Sequence, residues 1–191
     1  LNSFYDNIRT VTSGGVAAYT NNFGGTSGAT PIVAGYVGLF HQMWSEGIFG
    51  NTVDPSGSVF DNRPHMTTTK AMMINTAWQY TFTGATHNLT RTHQGWGMPD
   101  LQTMYDLREQ MLIVNEDDVL MPLQSRVHTA TVLAGAPAFR ATMVYADPPA
   151  APPFSGLHRI NDLSLKVTSP GGTEYWGNNG LNTGNWSVAG G

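Results

Sequence analysis

The stretch Gly25-Thr26-Ser27-Gly28-Ala29-Thr30-Pro31, running into an almost wholly apolar segment that ends at Phe40, constrains this chain more than any other. Proline lacks an N–H, and its ring clashes with the carbonyl four residues back. A helix interior therefore disfavours it, but the first turn accepts it because the N–H groups there have no intrahelical partner anyway. Pro31 thus puts Ser27 at a helix N-terminus. The helix predicted from about Gly28 to Glu46 carries Ile32, Val33, Tyr36, Val37, Leu39, Phe40, Met43 and Trp44 on all its sides, which is the pattern of a buried central helix. Ala29, Ala34, Gly35 and Gly38 are small and let neighbouring backbone approach, at some cost in helix propensity.

Around this helix the first part of the chain reads as α/β. Gly15 to Tyr19 is a short apolar strand, and Thr20-Asn21-Asn22 is a polar turn before the serine. Asn51 to Pro64 is dense in Gly, Pro, Asn, Asp and Ser and reads as a long surface loop. Thr67 to Trp78 shows helical spacing at Ala71, Ile74 and Trp78, with a threonine as N-cap. Asp100 is placed to cap a short helix from Leu101 to Arg108. From about Met111 the period changes to two, over residues 126–133, 138–145 and 162–168, with turn-rich segments and no helix between them. That is the signature of an antiparallel sandwich or jelly roll. Two domains follow: an α/β unit over 1–110 and an all-β sandwich over 111–191. The second is shorter than the roughly 100 residues of a complete sandwich. It is expected to be incomplete, with a strand starting at Trp186-Ser187-Val188 and an open edge.

Composition excludes several classes. There are 9 basic and 13 acidic residues in 191, a net charge of −4, and no block of like charges. Nothing marks a nucleic-acid surface or a polybasic membrane patch. No apolar run approaches the roughly 20 residues of a membrane span. Cysteine is absent, which removes disulfides and thiolate metal sites. The excess of Gly, Asn, Thr and Ser over Lys and Glu suggests a secreted bacterial enzyme. The start at Leu1, without signal peptide, suggests an excerpt or a processed product.

The motif around Ser27 resembles the serine motif of the subtilisin-like serine proteases, G-T-S-x-A-x-P. Two further stretches extend the resemblance: Lys70 to Ala77 looks like the helix that follows in that family, and Gly95-Trp96-Gly97-Met98-Pro99-Asp100-Leu101 looks like its closing G-x-G-x-x-D segment. The β region is similar to the C-terminal sandwich of some large bacterial subtilases through Val144 to Pro149 and Ile160 to Leu165. The resemblance implies a subtilisin-like α/β catalytic domain, incomplete here, and a serine endopeptidase acting on protein or peptide substrates. Ser27 would be its nucleophile, with Gly25, Thr26, Gly28, Ala29 and Pro31 as motif support and Thr26 helping to order the oxyanion hole.

The chemistry suits such a site. A serine hydroxyl needs a base to take its proton, and attack on an amide carbonyl creates an oxyanion that needs preplaced donors. A helix N-terminus offers the Ser27 N–H and the positive end of the dipole. The plainer alternative is that Ser27 is simply an N-cap.

The resemblance also says what is lacking. The triad order in this family is Asp, His, Ser. No histidine precedes Ser27, and the one earlier carboxylate is Asp6. His41 lies about 21 Å along the same helix. His65, His87, His93, His128 and His158 fall in loops or strands. The triad Asp and His, the oxyanion Asn and the pocket walls are therefore expected upstream, and this chain alone is expected to be inactive.

Three rivals stay open. An α/β-hydrolase esterase would use Ser27 with Asp100 or Asp117 and His128 or His158, although Ala29 replaces the last Gly of its elbow and a polar loop precedes the serine. A non-catalytic pseudoprotease would leave the work to the sandwich. Catalysis calls for no cofactor and no metal. A structural calcium could bind Asp147, Asn161 and Asp162, with turn capping at strand ends the plainer reading. The sequons at Asn88 and Asn185 carry no weight in a bacterial protein.

Overall fold

The computed structural model of the chain describes residues 8–79, 91–153, 156 and 158–191, with the side chains of Thr92 and His93 left aside. Asp6, His87 and the Asn88 sequon lie outside these residues. Strand β1 (Ile8–Val11) pairs antiparallel with β2 (Tyr19–Phe23), Val11 facing Tyr19 and Ile8 facing Phe23. The expectation here is corrected. Residues 15–18, read as strand, form the connection, with Gly15 at φ +132°, and Thr20-Asn21-Asn22, read as turn, lie in a strand. The physical reason is that no second layer among the described residues covers this hairpin: Val16 is fully exposed and Val11 is 70% exposed, so apolar burial does not choose the register.

Helix α1 runs Thr26–Ser45 and α2 runs Met66–Asn75. The short α3 (Arg91–Gln94) is followed by α4 (Leu101–Asp106) and a 3₁₀ turn at Arg108–Gln110. Asp100 does cap α4, its carboxylate accepting the Thr103 amide at 2.9 Å and the Thr103 hydroxyl at 2.7 Å. The cap expected from a threonine on α2 is not there. The N-cap is His65, which makes no side-chain capping bond, and Thr67 and Thr68 are buried inside the first turn.

The core sits among the helices. Phe40, Trp44, Phe49, Met72, Met73 and Met104 form one buried cluster, with Phe40 and Met104 wholly enclosed. Phe40 contacts the Trp44 and Phe49 rings at centroid separations of 5.9 and 5.5 Å. Three of the six members are methionines, flexible side chains that fill gaps between helices meeting at irregular angles. The segment after Met111 belongs to this core as well. Met111 and Ile113 pack on the cluster, and the next residues are held by buried threonines. Thr68 Oγ1 donates to Asn115 Oδ1 at 2.7 Å, and Thr67 Oγ1 to Glu116 Oε2 at 2.6 Å. His65 lies 3.4 Å from Glu116 and 3.7 Å from Asp117.

Only the C-terminal half of α1 is in that core. Its buried residues are Gly28, Ala29, Phe40 and Trp44, whereas Pro31, Ala34, Gly35, Gly38 and Leu39 face solvent. The expectation of a helix buried on every side is thus corrected, because no parallel sheet flanks α1 among the described residues. The loop 51–64 is surface-exposed as expected and is closed by its own polar groups. Asn62 Oδ1 accepts the Asp54 amide at 2.7 Å, while its Nδ2 donates to the carbonyls of Asp54 and Ser58.

Beyond residue 120 the chain is extended but sparsely paired. The described strands there are β3 (Lys166–Thr168) and β4 (Glu174–Trp176), an antiparallel pair with Val167 opposite Tyr175. The segments 126–133 and 138–145, expected as sandwich strands, form no ladder, and 121–141 is exposed throughout. Trp186-Ser187-Val188 likewise starts no strand. A period-two segment is stable as a strand only when a neighbour takes its N–H and C=O groups and a second layer takes its apolar face. Neither neighbour is present among the described residues, so the predicted sandwich is reduced to one two-stranded sheet.

Candidate active site at Ser27

Gly25 is the N-cap of α1 and holds φ 70°, ψ −164°, a conformation open essentially to glycine alone. Its carbonyl accepts the amides of Gly28 at 3.0 Å and Ala29 at 3.1 Å, which closes the first turn. Ser27 is the second residue of the helix and is exposed. It is not the cap, and α1 has no side-chain capping bond at this end. Neither the Ser27 hydroxyl nor its amide is bonded within the described residues. Gly28 and Ala29 are buried directly behind it.

Thr26 is exposed, and its carbonyl accepts the Thr30 hydroxyl at 2.8 Å. Pro31 stands further into the helix than expected, because α1 begins at Thr26 rather than at Gly28. Having no N–H, it gives the Ser27 carbonyl no i→i+4 donor. Ser27 therefore lies in a turn whose backbone is less committed to the helix ladder than its neighbours. No acidic residue occupies the first turn, so the partial positive charge of the helix end is not neutralised there. An open apolar groove lined by Thr26, Ala29, Thr30, Val33, Ala34 and Val37 runs from this end along α1. The arrangement offers an accessible hydroxyl, one free backbone donor and a nonpolar trough beside them.

The expected bases are elsewhere. His41 Nε2 lies 3.0 Å from the Val59 carbonyl and ties the loop 51–64 to α1. His65 lies beside Glu116 and Asp117, His128 lies 3.5 Å from Asp118, and His158 meets the Pro148 carbonyl. Asp100 is occupied in capping α4, and Asp117 faces His65. The esterase triad is consequently not assembled among the described residues.

Asp147 is a turn cap. Its carboxylate accepts the amides of Ile160 at 2.8 Å and Asn161 at 2.9 Å, and the Asn161 side chain donates to it at 3.0 Å. These bonds, that of the Asn161 amide foremost, hold its carboxyl below the ordinary aspartate value. Asp162 pairs with Arg159 at 3.0 Å. Among the described residues no three His, Asp or Glu side chains converge as a metal site, and no helix is long and apolar enough to cross a membrane.

Sequence reasoning missed one constellation. Arg91 and Arg140, 49 positions apart, both reach the Asn185-Trp186 dipeptide, and each lies beside a tryptophan ring, Trp96 and Trp186 respectively. No spacing rule links such distant residues, so only the folded chain reveals them.

No protein-family model, curated protein or solved structure matches this chain.

Proposed function

We propose that the chain is the nucleophile-bearing part of a subtilisin-like serine endopeptidase, secreted, in which Ser27 attacks the peptide carbonyl. The single observation that supports this most is the exposed Ser27 hydroxyl at the N-terminus of a 20-residue helix, with its own amide unbonded and pointing to the same end. That amide is the donor such a reaction needs for the developing oxyanion, and the helix dipole adds to it.

The base is supplied by a histidine, oriented by an aspartate, from sequence upstream of Leu1. With it, Ser27 loses its proton to the imidazole as its Oγ bonds to the carbonyl carbon. The proton then passes to the leaving amine as the C–N bond breaks. Without it, turnover falls by roughly four to six orders of magnitude. The segment after Met111, whose Met111 and Ile113 pack on the helical core, is assigned to stabilising the protease or shaping its cleft.

Labelling with a serine-directed fluorophosphonate tests the reading. The 191-residue chain should remain unlabelled, and the complete gene product should be labelled at Ser27 and not in its Ser27→Ala form. A complete product that neither labels nor cleaves an unfolded protein substrate overturns the endopeptidase assignment in favour of a non-catalytic module.

A further inference from the structure

Arg91 and Arg140 both reach the Asn185-Trp186 dipeptide, Arg91 by a bond to the Asn185 carbonyl and Arg140 beside the Trp186 ring. The chain has 13 acidic residues against 9 basic ones, yet no described carboxylate lies within ion-pair distance of either. The neighbouring segment 80–90 contains no acidic residue in its sequence. Arg91 is held in place by carbonyls: its Nη1 donates to Gly95 and Trp96, its Nη2 to Asn185 at 3.2 Å, and its guanidinium lies 4.6 Å over the Trp96 ring. Its Nε is buried with no partner. Burial, and after it the charge of Arg140, holds this guanidinium below its ordinary value.

Arg140 is the exposed member. Its Nη1 donates to the carbonyls of Asn75 at 3.1 Å and Ala77 at 3.5 Å, which fixes the head group. Its Nε and Nη2 carry no bond among the described residues. Those two N–H groups are parallel donors on one edge of a planar fork, the geometry that a carboxylate fills with both oxygens. Trp186, 56% exposed, lies beside it with its ring centroid 5.5 Å away. A flat apolar wall next to an unpaired fork suits a carboxylate carried on an organic body rather than a small inorganic ion.

We propose that Arg140, backed by Arg91 and flanked by Trp186, forms a binding site for the carboxylate of a peptide. The anion supplies the counter-charge that the fold leaves out, and the rest of the peptide lies along the exposed indole. The proposal does not depend on the protease reading.

Calorimetric titration of the 191-residue chain tests it with three probes: acetyl-dialanyl-phenylalanine as the free acid, the same peptide as its C-terminal amide, and an amidated tripeptide whose only carboxylate is a glutamate side chain. Binding of the free acid identifies a C-terminal carboxylate as the ligand group, and binding of the glutamate peptide identifies a side chain. The uncharged amide should bind at least about tenfold more weakly than the better acid. Arg140→Gln should weaken that acid about tenfold or more, and Arg140→Lys, which keeps the charge and loses the two-donor edge, by a lesser factor. Equal binding of amide and acid, or no binding of any probe to the wild-type chain, overturns the proposal. Unchanged affinity in Arg140→Gln does so too. Should Arg140→Gln lose its native circular dichroism, the lysine variant decides, and unchanged affinity there is equally fatal.

Discussion

Gly97 lies against the backbone of Trp78 so closely that a Cβ built on it would stand 2.5 Å from the Trp78 carbonyl oxygen. The same contact carries a two-way bridge, Trp78 N to Met98 O and Met98 N to Trp78 O, both at 2.8 Å. Gly97 also holds φ +108°, a value that L side chains rarely adopt. Gly97→Ala therefore combines backbone strain with a clash against an atom that cannot rotate away. The expected loss is roughly 3 kcal/mol in denaturant unfolding, together with hydrogen-exchange protection at the Met98 amide.

Glycines of α1 divide by the same reasoning. Gly25 has open space around its missing Cβ, so substitution there is penalised by conformation alone: Gly25→Ala is expected to destabilise by about 1–3 kcal/mol and to displace Ser27. Gly35 and Gly38 sit in the helix interior, exposed, with nothing within 4 Å. Gly35→Ala and Gly38→Ala should each stabilise this chain by about 0.5–1 kcal/mol. Thermal unfolding of the three variants would separate the two cases, and a stabilising Gly25→Ala would contradict the cap geometry.

The sequence carried its local signals well and its long-range ones poorly. Asp100 capping α4, the helical spacing of α1 and α2 and the Gly-, Pro- and Asn-rich loop 51–64 are all decided within a few residues, and all are found. The exposed Ser27 at a helix N-terminus was legible for that reason, because Pro31 and Gly25 act on their own turn. The strands at 126–133 and 138–145 failed because alternation states which face a strand would bury but says nothing of whether a neighbour exists to pair with it. The threonine expected to cap α2 does not do so, since the hydroxyls of the buried Thr67 and Thr68 bond across to Glu116 and Asn115, respectively, nearly 50 positions away. The Arg91–Arg140 pair left no local trace at all.

The aspartates of the 51–64 loop give a pH dependence with a definite sign. The Ser56 hydroxyl and amide hold Asp54 below the ordinary aspartate value, and the Ser58 hydroxyl and amide do the same for Asp61. A carboxyl whose folded value is depressed contributes stability that is present above the unfolded value. The contribution is lost as pH falls through the folded value. The loop should therefore hold its structure unchanged from neutral pH down to the ordinary aspartate range near 3.8 and loosen only below it. Carboxyl carbon shifts of Asp54 and Asp61, followed by NMR through acid, are expected to titrate below those of a free aspartate. Midpoints above that range would show that the serine bonds do not persist in solution.

Ser27→Ala separates a structural serine from a chemical one. A serine that caps a helix loses about 1 kcal/mol on truncation to alanine, because an orphan amide loses its acceptor. Ser27 lies two positions past the cap, exposed, with a hydroxyl that bonds to none of the described residues, and alanine is the better helix former. The substitution should change unfolding free energy by less than about 0.5 kcal/mol, the range of surface changes away from special features. Asp100→Ala, by contrast, removes both bonds to Thr103 and should cost about 1–2 kcal/mol. Parallel denaturant titrations of the two variants make the comparison. A Ser27→Ala loss as large as that of Asp100→Ala would return the residue to the role of a cap, whereas a silent substitution leaves a helix end whose hydroxyl the fold itself does not use.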